Sequence, residues 1–409
     1  MKNTLTQSFD LIILGGGLAG ASLAAALRDS GRRIALVEGR PPAAPDPGGA
    51  WDQRVYAISP ASARFLQRIG IGHALAAGRV APVYDMRVAG DAGGAIHFSA
   101  YECGVDALSY IAESGRLAHA LWQSLADQPG LQRFAPAQPA ALDLRRDRPG
   151  ALATLHLSDG SRLEAPLVVA ADGRESWART AAGLNAEVSP YDELGVVANF
   201  ACELPHRGTA WQWFRDDGVL AWLPLPGRVI SIVWSAPTAQ AEALLALSPA
   251  ALAERVAAAG GHRLGKLSPL SAAAAFPLKL MTVPATCTAR LVLIGDAAHG
   301  IHPLSGHGIN LGFADAAELA QRIRQAPATQ DLGAVDFLRA YARARRTETI
   351  LLQQGTDALH RLFHNRLPRL PGLPDWPAPP GLARLRNFGL DLTDRLSPLK
   401  SWLARLAMG

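Results

Sequence analysis

The sequence predicts an α/β fold with a Rossmann-like domain, a second domain built on a β-sheet, and a C-terminal helical segment. Three apolar runs of strand length each end at a glycine or an aspartate and lead into a helix-like pattern. This order is typical of parallel sheets whose carboxyl strand ends carry a ligand site. Alternating segments in the middle of the chain, residues 196–202 and 229–235, predict the second sheet.

The first apolar run lies near the N-terminus. Residues 11–14 predict a buried strand, residues 21–30 a helix and residues 34–37 a second strand. The turn and the end of the second strand carry a G-x-G-x-x-G pattern and an acidic residue, namely Gly15, Gly17, Gly20 and Glu38. In such a βαβ unit the glycines let the backbone approach a pyrophosphate, and the carboxylate accepts from ribose hydroxyls. Four glycines and the preceding Asp10 argue against a membrane span or signal peptide over residues 11–27.

The second run ends in the same way. Residues 167–171 lead into Asp172 and Gly173, with Ser176 and Arg179 at helix-start spacing. Taken alone, this segment is better interpreted as a capped helix N-terminus, with Asp172 or Ser176 as the cap.

The third run, residues 291–294, ends in Gly295 and Asp296. Before an alanine-rich helical pattern come a proline and three glycines, namely Pro303, Gly306, Gly308 and Gly312. Glycines that open a helix let backbone N–H groups approach a planar or anionic ligand closely. Together, the three runs predict one nucleotide site assembled from separate strand ends.

Composition limits the class of protein. The chain has 409 residues and 49% hydrophobic content, enough for a large core and for two or three domains. Its three cysteines form no C-x-x-C pattern, which argues against a disulfide framework or a zinc site and favours a reducing compartment. The formal charge of +5 is modest, and no nucleic-acid-binding module is recognisable. We therefore expect a cytoplasmic protein with no metal and no nucleic-acid partner.

The motifs divide the chain into a discontinuous nucleotide domain, a substrate domain and a C-terminal helical region. We predict residues 1–75, 105–182 and 288–330 for the first, 76–104 and 183–287 for the second, and 331–409 for the third. Residues 366–381 contain six prolines and predict a non-helical connector. Residues 382–408 mix leucines with arginines and a lysine. Such a segment can lie on an anionic membrane surface, or it can be an ordinary helix that covers the nucleotide domain.

The three motifs, in this order, resemble those of the FAD-dependent aromatic hydroxylases with the para-hydroxybenzoate hydroxylase fold, the class A flavoprotein monooxygenases. Residues 52–59, DQRVYAIS, are similar to the D-x-R-x-x-A-[LI]-S pattern of the UbiH-type ubiquinone-biosynthesis branch. Residues 302–312, HPLSGHGINLG, are similar to that branch's H-P-L-A-G-Q-G-L-N-L-G, with His307 where the branch has glutamine. Residues 214–234 and the end of the chain also fit.

The resemblance implies hydroxylation of the aromatic ring of a polyprenylated phenol in ubiquinone biosynthesis. NAD(P)H would reduce FAD, O2 would add to the flavin, and the C4a-hydroperoxide so formed would deliver oxygen to the ring. Two alternatives stay open: a related flavin hydroxylase or reductase with another aromatic or isoprenoid substrate, and a non-catalytic flavin-binding assembly factor. Further expectations are peripheral contact with the inner face of the cytoplasmic membrane and a complex with other ubiquinone-biosynthesis proteins.

The resemblance also assigns residues. The predicted FAD-binding residues are Gly15, Gly17, Gly20, Glu38, Arg54, Arg116, Asp172, Gly173, Gly295, Asp296, Pro303, Gly306, Gly308, Ile309 and Asn310. Surface salt bridges are the alternative for Arg54 and Arg116. The flavin-proximal candidates are His302, Pro303 and His307, with no side chain assigned to catalysis. The histidines at 299, 302 and 307 lack the spacing of zinc ligands.

A last group of residues is assigned to the substrate. Trp213, Leu223, Leu225 and Trp234 are candidates to line an apolar cavity for a hydrophobic quinone precursor. The same residues would suit the plain core of a sheet equally well.

Overall fold

The computed structural model describes residues 6–46, 48–76, 78–91, 93–145, 150–301, 306, 308–363, 387 and 394. Within these residues, twenty-two strands and ten α-helices are arranged around four sheets. The mixed α/β architecture confirms the predicted fold class.

A six-stranded sheet forms the predicted Rossmann-like layer. Its strands, in spatial order, are β20 (Cys287–Thr288), β21 (Leu291–Leu293), β13 (Leu167–Ala170), β2 (Leu11–Leu14), β3 (Ile34–Val37) and β9 (Leu131–Phe134). All neighbours pair in parallel except β20 with β21. The central strands are buried at every residue, because both faces of the sheet are covered.

Helices cover one face of this sheet and a second sheet covers the other. The helices that contribute to the first face are α1 (Leu18–Ala26), α5 (Ser114–Ser124) and α9 (Gly308–Gln325). The covering sheet has the order β1 (Thr6–Ser8), β12 (Arg162–Ala165), β11 (Ala153–Leu157) and β10 (Pro139–Asp143). Helix α1 begins three residues before its predicted start and ends at Ala26, and a turn over residues 27–30 leads to Gly31 at φ +69°.

A small antiparallel sheet follows the first βαβ unit. Its order is β4 (Val55–Ile58), β8 (Ser109–Glu113) and β5 (Ala81–Val83). Four short helices complete this part of the chain: α2 (Pro60–Arg68), α3 (Gly72–Ala76), α4 (Ala100–Cys103) and α6 (Trp177–Ala181). Ser59 caps α2 by accepting from the Ser62 backbone N–H.

The largest sheet has nine strands among the described residues. Its order is β22 (His299–Gly300), β19 (Ala274–Thr282), β14 (Glu187–Cys202), β17 (Val229–Pro237), β16 (Gly218–Leu225), β15 (Thr209–Arg215), β6 (Asp85–Ala89) and β7 (Ala95–Ser99), with β18 (Leu267–Pro269) also paired to β14. Helices α7 (Thr238–Leu245) and α8 (Pro249–Ala259) pack on one face. We refer to that face as the helix face and to the opposite one as the open face.

The chain then forms the long helix α10 (Val335–Phe363), which packs on α9. The proline-rich connector 366–381 lies outside the described residues, as does segment 382–408 except for Asn387 and Asp394. The Gly94 and His97 backbone N–H groups donate to the side chains of Asn387 and Asp394, at 3.0 Å each. At these two residues the end of the chain therefore contacts the largest sheet.

Candidate cofactor and substrate site

The three predicted motifs meet at one edge of the parallel sheet. The last residues of β2 and β13, Leu14 and Ala170, are partners in the strand register, and Leu293 of β21 is the next partner. Since all three strands run in the same direction, the glycine turn, the Asp-Gly pair and the Gly-Asp pair leave the sheet at the same edge.

The glycine turn is packed too closely to accept side chains. A Cβ on Gly15, at φ +98°, would overlap the Ala171 carbonyl oxygen and lie 2.8 Å from the Asp172 nitrogen. A Cβ on Gly20 would overlap the Gly15 carbonyl oxygen. Gly17 differs, because nothing lies within 4 Å of the position of its Cβ.

The N-terminus of α1 is open to an anionic ligand. Gly17 occupies the cap position without a side-chain cap, and the first turn of the helix contains no acidic residue. The first N–H groups and the helix dipole can therefore bind a phosphate group. Glu38, at the end of β3, accepts from the Gly16 N–H at 2.6 Å and from the Arg40 N–H at 2.7 Å. Each carboxylate oxygen retains a lone pair that could accept from a ribose hydroxyl.

The Asp-Gly segment is organised as a helix cap. Ser176 is the N-cap of α6 and accepts from the Arg179 N–H at 2.9 Å. Asp172 accepts from the Ser176 hydroxyl and, at 2.9 Å, from the Ala178 N–H. Both carboxylate oxygens of Asp172 are thus used within the loop, as the cap interpretation predicts. Gly173, at φ +87°, has open space on the side where a Cβ would project.

The Gly-Asp segment presents a carboxylate at the same edge. Gly295 adopts φ +59°, and a Cβ there would lie 3.0 Å from the Ala19 Cβ of α1. Asp296 is half-buried and makes no hydrogen bond to a described residue. Burial raises the pKa of Tyr56, and Asp296 raises it further against the opposing charge of Arg54. The structure therefore brings Asp296 and Arg54 close enough to Tyr56 for both charges to act on its hydroxyl.

A buried ionic network lies beneath this segment. Asp315 of α9 accepts from the Gly295 N–H at 2.9 Å, from His299 Nε2 at 2.7 Å and from Arg345 Nε at 2.8 Å. Burial would raise the pKa of Asp315, but His299 and Arg345 lower it below its ordinary value. Burial would likewise lower the pKa of His299, but Asp315 raises it. The network fixes the Gly295 turn and gives His299 a role in the fold.

The start of α9 is tied to β4. Asn310 accepts from the Ser59 N–H at 2.9 Å and donates to the Ala57 carbonyl at 2.9 Å, so its side-chain amide is engaged with backbone. A Cβ on Gly306 would lie 3.4 Å from the Ala57 Cβ. Gly308 and Ile309 form the first turn of α9.

The two predicted arginines have different surroundings. Arg54 lies 5.2 Å from the centroid of the Tyr56 ring. Arg116 donates to Glu113 at 2.9 Å and to the Asp46 carbonyl, which matches the salt-bridge alternative. His302, Pro303 and His307 lie outside the described residues.

The four predicted substrate residues lie on opposite faces of the largest sheet. Leu223 and Leu225 are on the open face and pack near Ala57. Trp213 and Trp234 pack on the helix face with α7 and α8. The prediction that all four share one cavity is therefore wrong for the tryptophans, because side chains alternate along a strand.

Several residues of the site escaped the sequence analysis. Asp315 and Arg345 have no local signal, because only the packing of α9 and α10 brings them to Gly295. Gln212 had a signal in the alternation of Trp211, Gln212 and Trp213, which places the glutamine opposite the two tryptophans.

Comparison with known proteins gives consistent matches. A family model described as FAD binding domain matches residues 8–350. Ubiquinone hydroxylase UbiL of Rhodospirillum rubrum is 36% identical over 403 residues, covering 98% of this chain and 89% of that protein. The 3-demethoxyubiquinol 3-hydroxylase of Escherichia coli is 32% identical over 404 residues, covering 98% and 99%. The crystal structure of p-nitrophenol 4-monooxygenase PnpA from Pseudomonas putida superposes with a TM-score of 0.74 at 17% identity, covering 99% of each chain.

Proposed function

This chain belongs to the FAD-binding family of flavoprotein monooxygenases, and from that premise we propose that it hydroxylates the aromatic ring of a polyprenylated phenol in ubiquinone biosynthesis. One observation carries the proposal. An edge of strand ends suited to FAD lies next to an apolar cluster on the open face, since Ala57 contacts both Gly306 and the cluster around Leu223 and Leu225. The names of the two bacterial relatives favour a ubiquinone precursor over other aromatic rings.

The residues present fit FAD. The closely packed glycine turn and the uncapped N-terminus of α1 suit a pyrophosphate, and Glu38 suits a ribose. We assign the Asp296 carboxylate to hydroxyls of the cofactor, because it is half-buried and has no hydrogen bond to a described residue. FAD, when bound and reduced by NAD(P)H, supplies the activation of O2 that no side chain can provide.

The protein itself would then position the cofactor and the substrate, and it would exclude water from the site. Asp315 holds the Gly295 turn, and Asn310 holds the start of α9 against β4. The first contact is buried and the second partly buried, so both would fix the backbone that borders the cofactor. Leu223 would supply apolar surface for the ring and chain of the substrate, with the fully buried Leu225 packed behind it, where water would compete with the transfer of oxygen.

We also assign the domain division and the flavin-proximal residues as predicted. Residues 1–75, 105–182 and 288–330 would hold FAD, and residues 76–104 and 183–287 would face the substrate. His302, Pro303 and His307 would border the flavin ring.

A membrane-soluble substrate requires access from the bilayer. None of the helices in the described residues is long and apolar enough to cross a membrane. We propose that the basic segment 382–408 contacts the inner face of the cytoplasmic membrane, because its arginines and leucines suit anionic headgroups and acyl chains. A complex with other ubiquinone-biosynthesis proteins would pass the substrate on.

The quinone profile of a strain that lacks this protein tests the proposal. Mass spectrometry should find an accumulated prenylphenol that lacks one hydroxyl group, and the wild-type gene should restore the profile. The purified protein should carry FAD. An unchanged quinone pool in a strain without a second hydroxylase would overturn the ubiquinone assignment and leave the flavoprotein assignment intact.

A further inference from the structure

The two faces of the largest sheet differ in burial at its centre. On the helix face, Leu220, Trp222 and Ile232 are 0% exposed, because α7 and α8 cover them. On the open face of the same strands, Ala221, Leu223 and Val233 are only partly buried, although β16 and β17 have neighbours on both sides. Residues at the centre of a sheet stay accessible only where space lies above them, so the open face borders a cavity.

The apolar residues beside this space connect it to the cofactor edge. One apolar cluster contains Leu225 and Ile111 and extends to Ala57, which packs against Gly306. A second apolar cluster contains Phe214 and Val219. The space therefore has apolar groups on two sides and a floor that includes the small side chain of Ala221.

Gln212 is a polar residue in this apolar setting. In the strand register it is the partner of Ala221, which is in turn the partner of Val233. Its side chain therefore projects from the open face beside the smallest residue of the floor. Gln212 is 7% exposed, and its side chain makes no hydrogen bond within the described part of the chain. The amide atoms of Gln212 are not among the fully buried polar atoms without partners, so they reach the space above the open face, where a ligand with a matching group could bind them.

The neighbouring row contains polar atoms that are fully buried and have no hydrogen-bond partner among the described residues. Asn199 and Ser231 are register partners on the open face, and the Asn199 Oδ1 and Ser231 Oγ atoms are buried without hydrogen-bond partners. The Asn199 amide is oriented by its Nδ2, which donates to the Trp51 and Asp52 carbonyls at 3.3 and 3.1 Å. Polar groups without partners thus recur on the face that borders the cavity.

We propose that Gln212 hydrogen-bonds the phenolic oxygen of the substrate and so orients the ring over Ala221. The inference rests on the proposed function, since it takes the substrate to be a phenol with an apolar chain. A primary amide offers both a donor and an acceptor, so it matches a neutral hydroxyl, which also has both. Gln212 is a specificity residue: it selects and orients the ring.

The test compares two probes that differ only in the hydroxyl, 2-farnesylphenol and its methyl ether, 2-farnesylanisole. Equilibrium binding of each to the purified FAD-loaded protein is followed by the flavin absorbance change. The wild type should bind the phenol about tenfold more tightly than the ether, the value of one good hydrogen bond. Gln212→Met keeps the volume and removes the amide, so the preference should fall to about twofold or less.

Gln128→Met is the matched control. Gln128 is 6% exposed, but its Nε2 donates to the Ala24 carbonyl at 2.8 Å, so its replacement should lower stability and leave the probe preference unchanged. Gln212→Met should leave stability nearly unchanged, because the Gln212 side chain makes no hydrogen bond to a described residue. A purely structural role would give the reverse order of stabilities.

The outcomes separate the inference from the function on which it rests. If Gln212→Met retains the tenfold preference, or if the wild type shows none, Gln212 does not recognise the hydroxyl, while the phenol substrate stands. If the wild type binds neither probe, the proposed substrate class is wrong, and the inference falls with it.

Discussion

The cofactor edge and the open face would recognise their proposed ligands in different ways. At the cofactor edge, backbone groups of Gly15, Gly17 and Gly295 form the surface, and their lack of side chains is the requirement. On the open face, the side chains of Gln212 and Leu223 form the surface, and the backbone is engaged in the sheet ladder. Substitutions at the first region should therefore act through steric overlap, and those at the second through the chemistry of one side chain.

Gly20→Val gives the largest expected effect at the cofactor edge. Any Cβ at this position overlaps the Gly15 carbonyl oxygen and would lie 3.1 Å from the Ala171 Cβ, so the turn between β2 and α1 cannot form as described. We expect purified protein without FAD and a free energy of unfolding lowered by more than about 3 kcal/mol. Flavin absorbance and denaturant unfolding measure the two effects.

Gly17→Ala separates loss of the ligand from loss of the fold. Nothing lies within 4 Å of this Cβ, and φ is −67°, which alanine adopts freely. The apoprotein should keep its stability, while affinity for FAD falls about tenfold, since the methyl group would project at the helix N-terminus where the pyrophosphate is expected. Equal FAD affinity in Gly17→Ala and the wild type would contradict the placement of the pyrophosphate.

Asp315→Asn tests how much side-chain contacts stabilise the cofactor edge, whose surface is formed by backbone groups. It replaces the buried carboxylate that His299 and Arg345 share by a neutral amide, so Arg345 loses its buried counter-charge. Breaking such a buried pair costs about 3–5 kcal/mol. We expect unfolding at lower denaturant concentration and weaker FAD binding, because the Gly295 N–H loses its charged acceptor. Glu318→Gln, at a partly exposed ion pair on the same helix, is the control and should cost under about 1 kcal/mol.

His299→Gln should reveal the pH dependence of this network. Asp315, Asp296 and Arg345 act on His299, and the net effect raises its pKa in the folded protein. A raised pKa gives stability that is complete below the unfolded value of about 6.5 and is lost as pH rises through the folded value. The wild type should therefore exceed His299→Gln in stability most at acidic pH. The difference should shrink as pH increases, in denaturant unfolding of the FAD-loaded protein. A constant difference across that range would mean that His299 does not gain a proton on folding.

The meeting of the three motifs at one edge of the sheet could be predicted from the sequence, because its requirements are local. Gly15 and Gly20 are needed by contacts within a few residues and with the next strand end, and the strand ends are visible as apolar runs. The network around Asp315 could not be predicted, since its members lie on β22, α9 and α10 and meet only after packing. Local sequence patterns can therefore indicate a ligand surface formed by backbone groups. They do not indicate the side chains that hold this surface in place.

The residues of the open face were harder to predict, because the face of the sheet on which a side chain lies depends on strand pairing. Trp213 and Trp234 are large and apolar, so the sequence allowed either a substrate cavity or the core for both. Their contacts with α7 and α8 place them in the core. Gln212 stands between two tryptophans, and alternation alone separates it from them. A shift of the strand register by one residue exchanges the two faces of a sheet. The residues that face a substrate therefore cannot be predicted without knowing which strands pair and in which register.

The smallest expected effects come from substitutions on the two faces of the largest sheet. These substitutions distinguish the helix face from the open face most directly. Trp234→Phe should lower stability by about 1–3 kcal/mol and leave the KM for a prenylphenol unchanged, because Trp234 is 0% exposed among the residues of α7 and α8. Leu223→Ala should do the opposite: a few-fold higher KM with a smaller loss of stability, because Leu223 is only partly buried beside the space above the floor. Steady-state kinetics and denaturant unfolding of the two variants measure both quantities. If Trp234→Phe raised KM and Leu223→Ala did not, the substrate would lie on the helix face, and the assignment of the open face to the substrate would have to be reversed.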